Sequence, residues 1–152
     1  MAKTYSIADC PVAKTLDLIG ERWTILLLRD LLLHGPRRFQ DFQDSLAGVA
    51  PNTLSARLKS LEDNALVRRQ LYNERPPRLE YVLTEKGRAL FPVIVGLRQW
   101  GEDHYYGPAE PHSTLIDRKR GQPVRRLQVR AQDGRELAPD DTVVRKVDGD
   151  RA

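Results

Sequence analysis

The sequence predicts a mainly α-helical domain that carries one small β-hairpin and continues into a small β-rich C-terminal extension. Apolar residues recur at helical spacing through residues 11–64 and again through 85–104. Two strand-like runs, 66–72 and 79–83, lie between these regions, and a polar stretch that contains prolines separates the two runs. From Tyr105 onward the chain is polar, with only short apolar alternations.

These observations predict a domain over residues 1–104 and an extension over residues 105–152 that is β-rich or partly disordered. Within the extension, the stretches "RGQPVRRLQV" and "DGRELAPDDTVV" each indicate a small hairpin-like unit.

The composition excludes several classes of protein. The apolar run "WTILLLRDLLL" is interrupted by Arg29 and Asp30, which favours a core helix over a membrane span. The N-terminus lacks the apolar core of a signal peptide, which favours a cytoplasmic protein. A single cysteine excludes an intrachain disulfide framework and a multi-cysteine metal site. The net charge of +4 is compatible with a nucleic-acid partner.

The first two predicted helices differ in how much of their surface is apolar. In residues 11–20, Val12, Leu16 and Ile19 share one face. Residues 21–36 are apolar almost all round, as expected for the central helix of a small domain, and the closing His-Gly-Pro suits a helix C-terminus.

The third and fourth predicted helices are joined by a short turn. Residues 37–46 form a short amphipathic helix, and "AGVAP" follows as the turn. Residues 51–64 carry Leu54, Leu58 and Leu61 at helical spacing, so that one thin apolar stripe faces the core.

The last predicted helix follows the hairpin. Thr84 is suited to cap a helix over residues 85–104, and Pro92 should kink that helix because proline removes a backbone donor. The order of helices, turn, hairpin and long helix is that of a winged helix-turn-helix. In this fold the helix at 51–64 is the recognition helix, and the hairpin at 66–83 is the wing.

Three stretches of the sequence resemble the HxlR family of bacterial transcriptional regulators, which are related to MarR-type winged-helix proteins. They are "CPVAKTLDLIGERWTILLLRDLLLHGPRRFQDFQ", "PNTLSARLKSLEDNALVRR" and "PPRLEYVLTEKGRAL", and with the spacing between them they cover residues 10–102. The resemblance implies a dimer that binds operator DNA. Ala50 stands where family members often have serine, which leaves helix N–H groups without a side-chain cap and available to a phosphate. Long polar residues are common in the family at the positions of Asn52 and Ala56. The operator sequence of this protein therefore cannot be taken from the operators of its relatives.

The outward face of the recognition helix and the basic residues around it are the predicted DNA contacts. A solvated helix face is the alternative, and the surrounding fold favours contact with a DNA groove. Arg68 and Arg69 are adjacent on a strand and face opposite ways, so at most one of them points at DNA. The predicted contacts are Arg37, Arg38, Asn52, Thr53, Ala56, Arg57, Lys59, Ser60, Arg75 and Arg78.

The long helix carries more apolar surface than one small domain can cover, which predicts a dimer seam shared with the first helix. Trp23, Trp100 and the leucine-rich helices could instead line a ligand-binding cage, and core packing is the favoured interpretation of them. The predicted interface consists of Val12, Leu16, Ile19, Leu90, Val93, Ile94, Leu97 and Trp100.

No pattern typical of an enzyme is present, and neither a metal nor a cofactor is expected. His34, His104 and His112 are isolated, without a partner at metal-ligand spacing. There is also no serine-histidine-aspartate order and no phosphate-binding glycine loop.

Cys10 is a candidate redox-sensing residue. It precedes Pro11 and should lie at the N-cap of the first helix, where the helix dipole favours the thiolate. The family resemblance also implies such a role, since some relatives carry a redox-sensing cysteine here. The alternative is a small half-buried residue packed against the dimer seam.

The sequence as a whole predicts a cytoplasmic dimeric transcription factor that acts on a pseudo-palindromic operator in double-stranded DNA. The resemblance implies that it is a repressor, and the effector is left open between a small molecule and an oxidant. The rival hypothesis is a winged-helix module that binds a protein through the same helix face. Such a face should be apolar, whereas residues 52, 53, 56, 59 and 60 are Asn, Thr, Ala, Lys and Ser.

Overall fold

The computed structural model describes residues 9–145, which fall into two compact units divided between Ile94 and Val95. The first unit contains α1 (Pro11–Ile19), α2 (Arg22–His34), α3 (Phe39–Ser45), α4 (Pro51–Asp63), β1 (Val67–Glu74), β2 (Pro77–Leu83) and α5 (Glu85–Arg88). A further helix, α6 (Phe91–Tyr105), begins in the first unit and continues into the second, which also holds a 3-10 helix at Pro139–Asp141.

The predicted central helix is confirmed, and its ends have clear local causes. The side chain of Glu21 caps α2 by accepting a 3.0 Å hydrogen bond from the backbone N–H of Thr24. At the other end Gly35 adopts a φ of 79°, a left-handed value that glycine reaches without strain, and its N–H bonds to the carbonyl of Leu31.

The core of the first unit forms around α2. Leu27 and Leu28 of α2 are fully buried, and the leucine stripe of α4 packs into the same cluster, as the helical spacing predicted. Each buried leucine contributes about 1.5–3 kcal/mol relative to an exposed one. The remaining buried members of the cluster are Ile19, Leu31, Phe42, Leu46, Leu66, Val67 and Ile94.

The predicted start of the third helix at residue 37 is wrong, because Arg37 pairs with the wing instead. Its N–H donates to the carbonyl of Tyr81 at 3.0 Å, and its own carbonyl accepts from the N–H of Tyr81 at 2.7 Å. Arg38 is the N-cap of α3, and its N–H donates to Asp41 Oδ2 at 2.8 Å. The two arginines therefore precede the helix, and Arg37 adds a one-residue bridge to the edge of β2.

The wing is longer than predicted, since both strands extend into the polar stretch that the sequence suggested as a loop. β1 and β2 pair in antiparallel fashion from Val67 opposite Leu83 to Glu74 opposite Pro77. Tyr72 is a bulge residue without a partner across the ladder, and such bulges re-aim the side chains around them.

The predicted single helix over residues 85–104 is two helices. Thr84 caps α5 as predicted, with its hydroxyl accepting from the N–H of Gly87 at 3.1 Å. The helix stops after Arg88, and α6 starts at Phe91, so that Pro92 lies in the first turn of α6 rather than in a kinked interior. Proline is well tolerated there because the first-turn N–H groups have no intrahelical partner. Gly87 permits a close approach, since a Cβ atom built on it would lie 2.2 Å from the carbonyl oxygen of Leu66.

In the second unit, polar contacts attach the extension to α6. Arg126 forms ion pairs with Glu102 and Asp103, and Arg98 donates to the carbonyl of Ser113 at 3.1 Å. In place of continuous strands, the described part of the extension has two isolated antiparallel bridges, Ile116–Pro123 and Arg130–Glu136. None of the helices in the described ranges has the length and apolar character needed to cross a membrane.

Candidate nucleic-acid interface

The outer face of α4 is a continuous polar surface. Because Leu54, Leu58 and Leu61 are at most 1% exposed, the opposite side of the helix is turned to solvent. Of the predicted contact residues on α4, Asn52, Ala56, Lys59 and Ser60 are exposed, whereas Thr53 and Arg57 are half-buried at its edge.

Ser55 belongs to the same surface but was missed by the sequence analysis. It is exposed, and it lies three residues after Asn52 and four before Lys59, which are the spacings of neighbours on a helix surface. Ser55 lies 100° around the helix axis from Leu54, so periodicity alone did not show whether its side chain faces the core or the solvent. Only the tilt of α4 against the core decides that Ser55 is outside.

The start of α4 has no side-chain cap. Ala50 is the N-cap residue and Pro51 the first helical residue, and the first helical hydrogen bond runs from the N–H of Leu54 to the carbonyl of Ala50 at 3.0 Å. The N–H groups of the first turn therefore point out of the helix end toward solvent or a ligand, as Ala50 cannot accept from them.

Arg57 is tied to the body of the fold. Its Nε lies 3.2 Å from Oε2 of Glu21, the residue that caps α2, although the geometry is that of an ion pair rather than an aligned hydrogen bond. Lys59 instead pairs with Asp63 one turn along α4 at 3.2 Å, with 76% of its side chain exposed. An exposed pair of this kind is weak and can exchange for a phosphate at little cost.

The wing presents two arginines at its tip. Arg75 lies in the turn between the strands, Arg78 is the second residue of β2, and both are exposed. Among residues 9–145, neither guanidinium has a carboxylate within ion-pair distance. The positive charge of the wing tip is thus open to an external anion.

Arg68 and Arg69 take opposite faces of β1, consistent with strand alternation. Arg69 lies opposite Tyr81 and makes a bidentate contact with Glu62 of α4, at 3.1 and 3.2 Å. Arg68 lies opposite Val82 and donates to the side chain of Gln70 at 3.4 Å. Arg69 therefore fastens the wing to α4.

A second residue that the sequence analysis missed is Tyr72. The guanidinium carbon of Arg38 lies 5.4 Å from the centroid of the Tyr72 ring, which is a cation–π geometry. The contact joins the start of α3 to the middle of the wing. The nearby Asp41 carboxylate accepts the backbone N–H of Arg38, and this hydrogen bond lowers the pKa of Asp41.

The predicted dimer residues do not all share one environment. Ile19 and Ile94 are buried within the first unit's own core, and Leu90 packs against that core. The remaining predicted residues are 43–67% exposed. In the first unit these are Val12, Leu16 and Val93, and in the second unit they are Leu97 and Trp100.

Cys10 lies at the N-cap of α1, as predicted, and is partly exposed. Its carbonyl accepts the N–H of Lys14, while its side chain makes no capping hydrogen bond. Within the described residues, no three histidine, cysteine or acidic side chains are grouped so that they could hold a metal ion.

The amino-acid sequence of this chain is similar to those of known proteins. The profile of the HxlR-like helix-turn-helix family matches residues 18–108. YdeP of Bacillus subtilis, which is named an HTH-type transcriptional regulator, is 40% identical over 103 residues, covering 66% of this chain and 80% of YdeP.

Similar structures have also been solved. PA1607, described as a candidate transcription factor, matches 92% of this chain and 96% of its own length, with a TM-score of 0.84 and 49% identity. HypR, a redox regulator solved in its oxidized form, matches 62% of this chain and 97% of its own, with a TM-score of 0.58 and 37% identity. The similarity to PA1607 therefore reaches into the extension.

Proposed function

Since the chain belongs to the HxlR-like helix-turn-helix family of DNA-binding transcriptional regulators, we propose that it is a cytoplasmic homodimeric repressor of a pseudo-palindromic operator. In this proposal each subunit places the outer face of α4 in a major groove and its wing beside the adjacent backbone. The two copies of α4 read half-sites about one helical turn of DNA apart.

The observation that carries the proposal is the chemistry of the outer face of α4. Over residues 52–60 its exposed side chains are an amide, hydroxyls, a methyl group and an ammonium group, which are groups that can read base edges and phosphates. Asn52 can donate to and accept from an adenine, Ala56 can contact a thymine methyl, and Lys59 can exchange Asp63 for a phosphate. The contacts proposed on this helix are Asn52, Thr53, Ser55, Ala56, Arg57, Lys59 and Ser60.

The basic residues outside α4 have positioning roles in this proposal. Arg75 and Arg78 contact the sugar-phosphate backbone or the minor groove at the wing tip. Arg38, which is exposed and rests on Tyr72, reaches a phosphate at the start of α3, and the half-buried Arg37 lies behind it. These contacts set orientation and affinity, whereas the contacts of α4 set sequence preference.

Dimerisation in this proposal uses exposed apolar residues on α1 and α6. Val12 and Leu16 on α1, and Leu97 and Trp100 on α6, are each more than half exposed. Isolated exposed apolar residues are common on proteins, but several on helices that carry few charges favour an interface with a second copy.

Cys10 is the proposed sensor, and an oxidant is the proposed effector. The observation that favours this role is a partly exposed thiol at the N-cap of α1, in a chain whose structure is similar to the redox regulator HypR. A hydroperoxide would transfer one oxygen to the thiolate, giving a sulfenic acid and releasing the corresponding alcohol or water. A change at Cys10 would act on the exposed face of α1 that the proposal assigns to the dimer.

The test of the main proposal is selection of bound fragments from random duplex DNA by the full-length protein. We expect an enriched sequence with two inverted half-sites. When this sequence is inserted between a promoter and a reporter gene, we expect the protein to reduce expression of the reporter. Failure to enrich any sequence over the starting pool would contradict DNA recognition and favour the protein-binding module. Enrichment of a single half-site would contradict the proposed dimer but not the proposed DNA recognition.

A further inference from the structure

The extension has an uneven distribution of charge that the helix-turn-helix does not explain. Residues 118–132 contain six basic residues and no acidic residue, whereas residues 133–141 contain four acidic residues and one basic residue. The two segments adjoin each other and form successive turns of the second unit. A merely solvated surface would not need this separation of charge.

Two of the six cations serve the protein itself. Arg126 pairs with Glu102 and Asp103 of α6, and Arg130 donates to the carbonyl of Gly134 and to the side chain of Gln128. The other four are exposed, and within residues 9–145 no carboxylate lies at ion-pair distance from any of them. These four are Arg118, Lys119, Arg120 and Arg125.

Three of the four lie in one tight turn, here called the basic turn (residues 118–120). Its ends are closed by hydrogen bonds from the N–H of Asp117 to the carbonyl of Gln122 at 2.8 Å and from the N–H of Gly121 to the carbonyl of Asp117 at 2.7 Å. The side chain of Asp117 also accepts from the N–H of Lys119 at 3.0 Å. The backbone that presents the three cations is therefore held in one conformation.

The chain that returns from the basic turn is held as well. The amide of Gln99 on α6 donates to the carbonyl of Arg125 at 3.1 Å and accepts the N–H of Leu127 at 2.8 Å. This double contact fixes the backbone at Arg125 while its guanidinium remains in solvent. Since the backbone is already ordered, an anion that binds the four side chains does not have to overcome the entropy of ordering that backbone.

Adjacent cations on a rigid turn repel one another, and an external polyanion relieves that repulsion. Duplex DNA, with one phosphate charge per about 1.7 Å of its axis, is a polyanion that a transcriptional regulator meets. Arginine and lysine contacts to phosphates do not depend on base sequence. We propose that the basic turn, together with Arg125, is a second and sequence-independent binding surface for the phosphates of duplex DNA.

This inference rests on the proposed function and adds to it a contact outside the helix-turn-helix and the wing. The test is the salt dependence of binding of the full-length protein to a random-sequence duplex, compared with the variant Arg118→Gln/Lys119→Gln/Arg120→Gln. Each lost phosphate contact should lower the slope of log K against log salt by about 0.9, so a fall of about 2 to 3 is expected. The affinity at 0.1 M salt should fall at least about tenfold, while the preference for the selected operator over random duplex is retained.

Two single substitutions provide controls. Arg135→Gln removes one charge from the neighbouring turn, where Arg135 is paired with Asp133 at 2.8 Å, and should leave the slope unchanged. Asp117→Asn keeps an oxygen that can accept from Lys119 but removes the negative charge, so it should tighten binding to random duplex. Circular dichroism of each variant should match that of the wild type, because all the substituted side chains are exposed.

A wild-type slope in the triple variant, in a protein that still binds its operator, would overturn the second surface and leave the proposed function intact. The second surface would likewise be overturned if the triple variant lost the wild-type protein's binding to phosphatidylserine vesicles but kept the wild-type salt slope on DNA. That result would assign the basic turn to a membrane surface. Failure of the wild-type protein to prefer any sequence would instead refute the proposed function. The two failures are therefore distinguishable.

Discussion

Ser45 donates a 2.5 Å hydrogen bond from its hydroxyl to Oδ2 of Asp30, a residue that is 1% exposed. The other carboxylate oxygen accepts from Nε and Nη2 of Arg29, at 3.0 and 2.8 Å. Ser45 is the last residue of α3, and Asp30 lies in the middle of α2. The bond therefore holds the end of the first helix of the motif, just before the turn into the recognition helix, against the central helix.

Replacing Ser45 with alanine should destabilise the fold by about 1–2 kcal/mol, because a buried carboxylate oxygen loses its partner. The measurement is urea unfolding followed by circular dichroism. Ser55→Ala is the matched control, since Ser55 is exposed on α4, and it should change stability by less than about 0.5 kcal/mol. Equal losses in the two variants would show that the bond to Asp30 contributes nothing.

Replacing Arg75 with alanine should weaken operator binding by roughly 1 kcal/mol and lower the salt slope by about 1, because one phosphate contact is lost. Fluorescence anisotropy at several salt concentrations measures both quantities. Arg88→Ala, which removes an exposed arginine from α5 at the base of the hairpin, should preserve the wild-type slope. If Arg75→Ala also preserves it, the wing tip is outside the interface.

The Asp41 carboxylate makes a pH-dependent contribution to stability. Its hydrogen bond from the N–H of Arg38 lowers its pKa in the folded state below the ordinary aspartate value of about 3.9. The unfolded chain then binds more protons between the two pKa values, so stability rises with pH through that window. The contribution is present above about pH 4 and is lost as the pH falls through the lower, folded value.

Asp41→Asn should therefore lower the free energy of unfolding by roughly 0.3–1 kcal/mol at pH 7, and the difference from wild type should shrink toward pH 3. Urea unfolding at several pH values measures this. Asp44→Asn removes the same charge from the same helix, where Asp44 accepts from the side chain of Gln40 rather than from the N–H of Arg38, and serves as the control. A difference for Asp41→Asn that does not vary with pH would argue against the charge of Asp41 as the cause.

Leu97→Asp should convert the proposed dimer into a monomer, because it would bury a charge in the seam. Sedimentation equilibrium at micromolar concentration measures the assembly, and operator affinity should fall at least about 100-fold when the half-sites are no longer linked. Val143→Asp places the same charge on a residue that is 84% exposed in the extension and should leave the assembly unchanged. A wild-type protein that sediments as a monomer would refute the seam.

Mild peroxide treatment should reduce operator binding by the wild-type protein but not by Cys10→Ser, because Cys10 is the single thiol in the chain. The product is then a sulfenic acid, a mixed disulfide or a bridge to Cys10 of the partner subunit. A bridge requires the two Cα atoms to lie within about 7 Å and gives a dimer on a non-reducing gel. The same loss of binding in both proteins would place the sensitivity elsewhere.

The features that could be predicted from the sequence are those whose causes lie within a few residues. The leucines of α4 recur every three or four positions, so their burial and the polarity of the opposite face follow from helix geometry alone. The caps at Thr84 and Gly35 are equally local, since each depends on backbone groups within four residues. The hairpin was predicted from two strand-like runs that a polar, proline-containing stretch separates.

Features that depend on partners distant along the chain became apparent only from the packing of the elements on one another. Arg37 was expected in a helix because its neighbours are amphipathic, yet it bonds to Tyr81, 44 positions away, and that pairing excludes helical geometry. The contacts of Arg57 with Glu21 and of Ser45 with Asp30 are invisible to periodicity for the same reason. The bulge at Tyr72 shifts the register of the wing without leaving a pattern in β1. Local propensity specifies which residues face inward, but only the packing of one element on another selects which polar side chains meet.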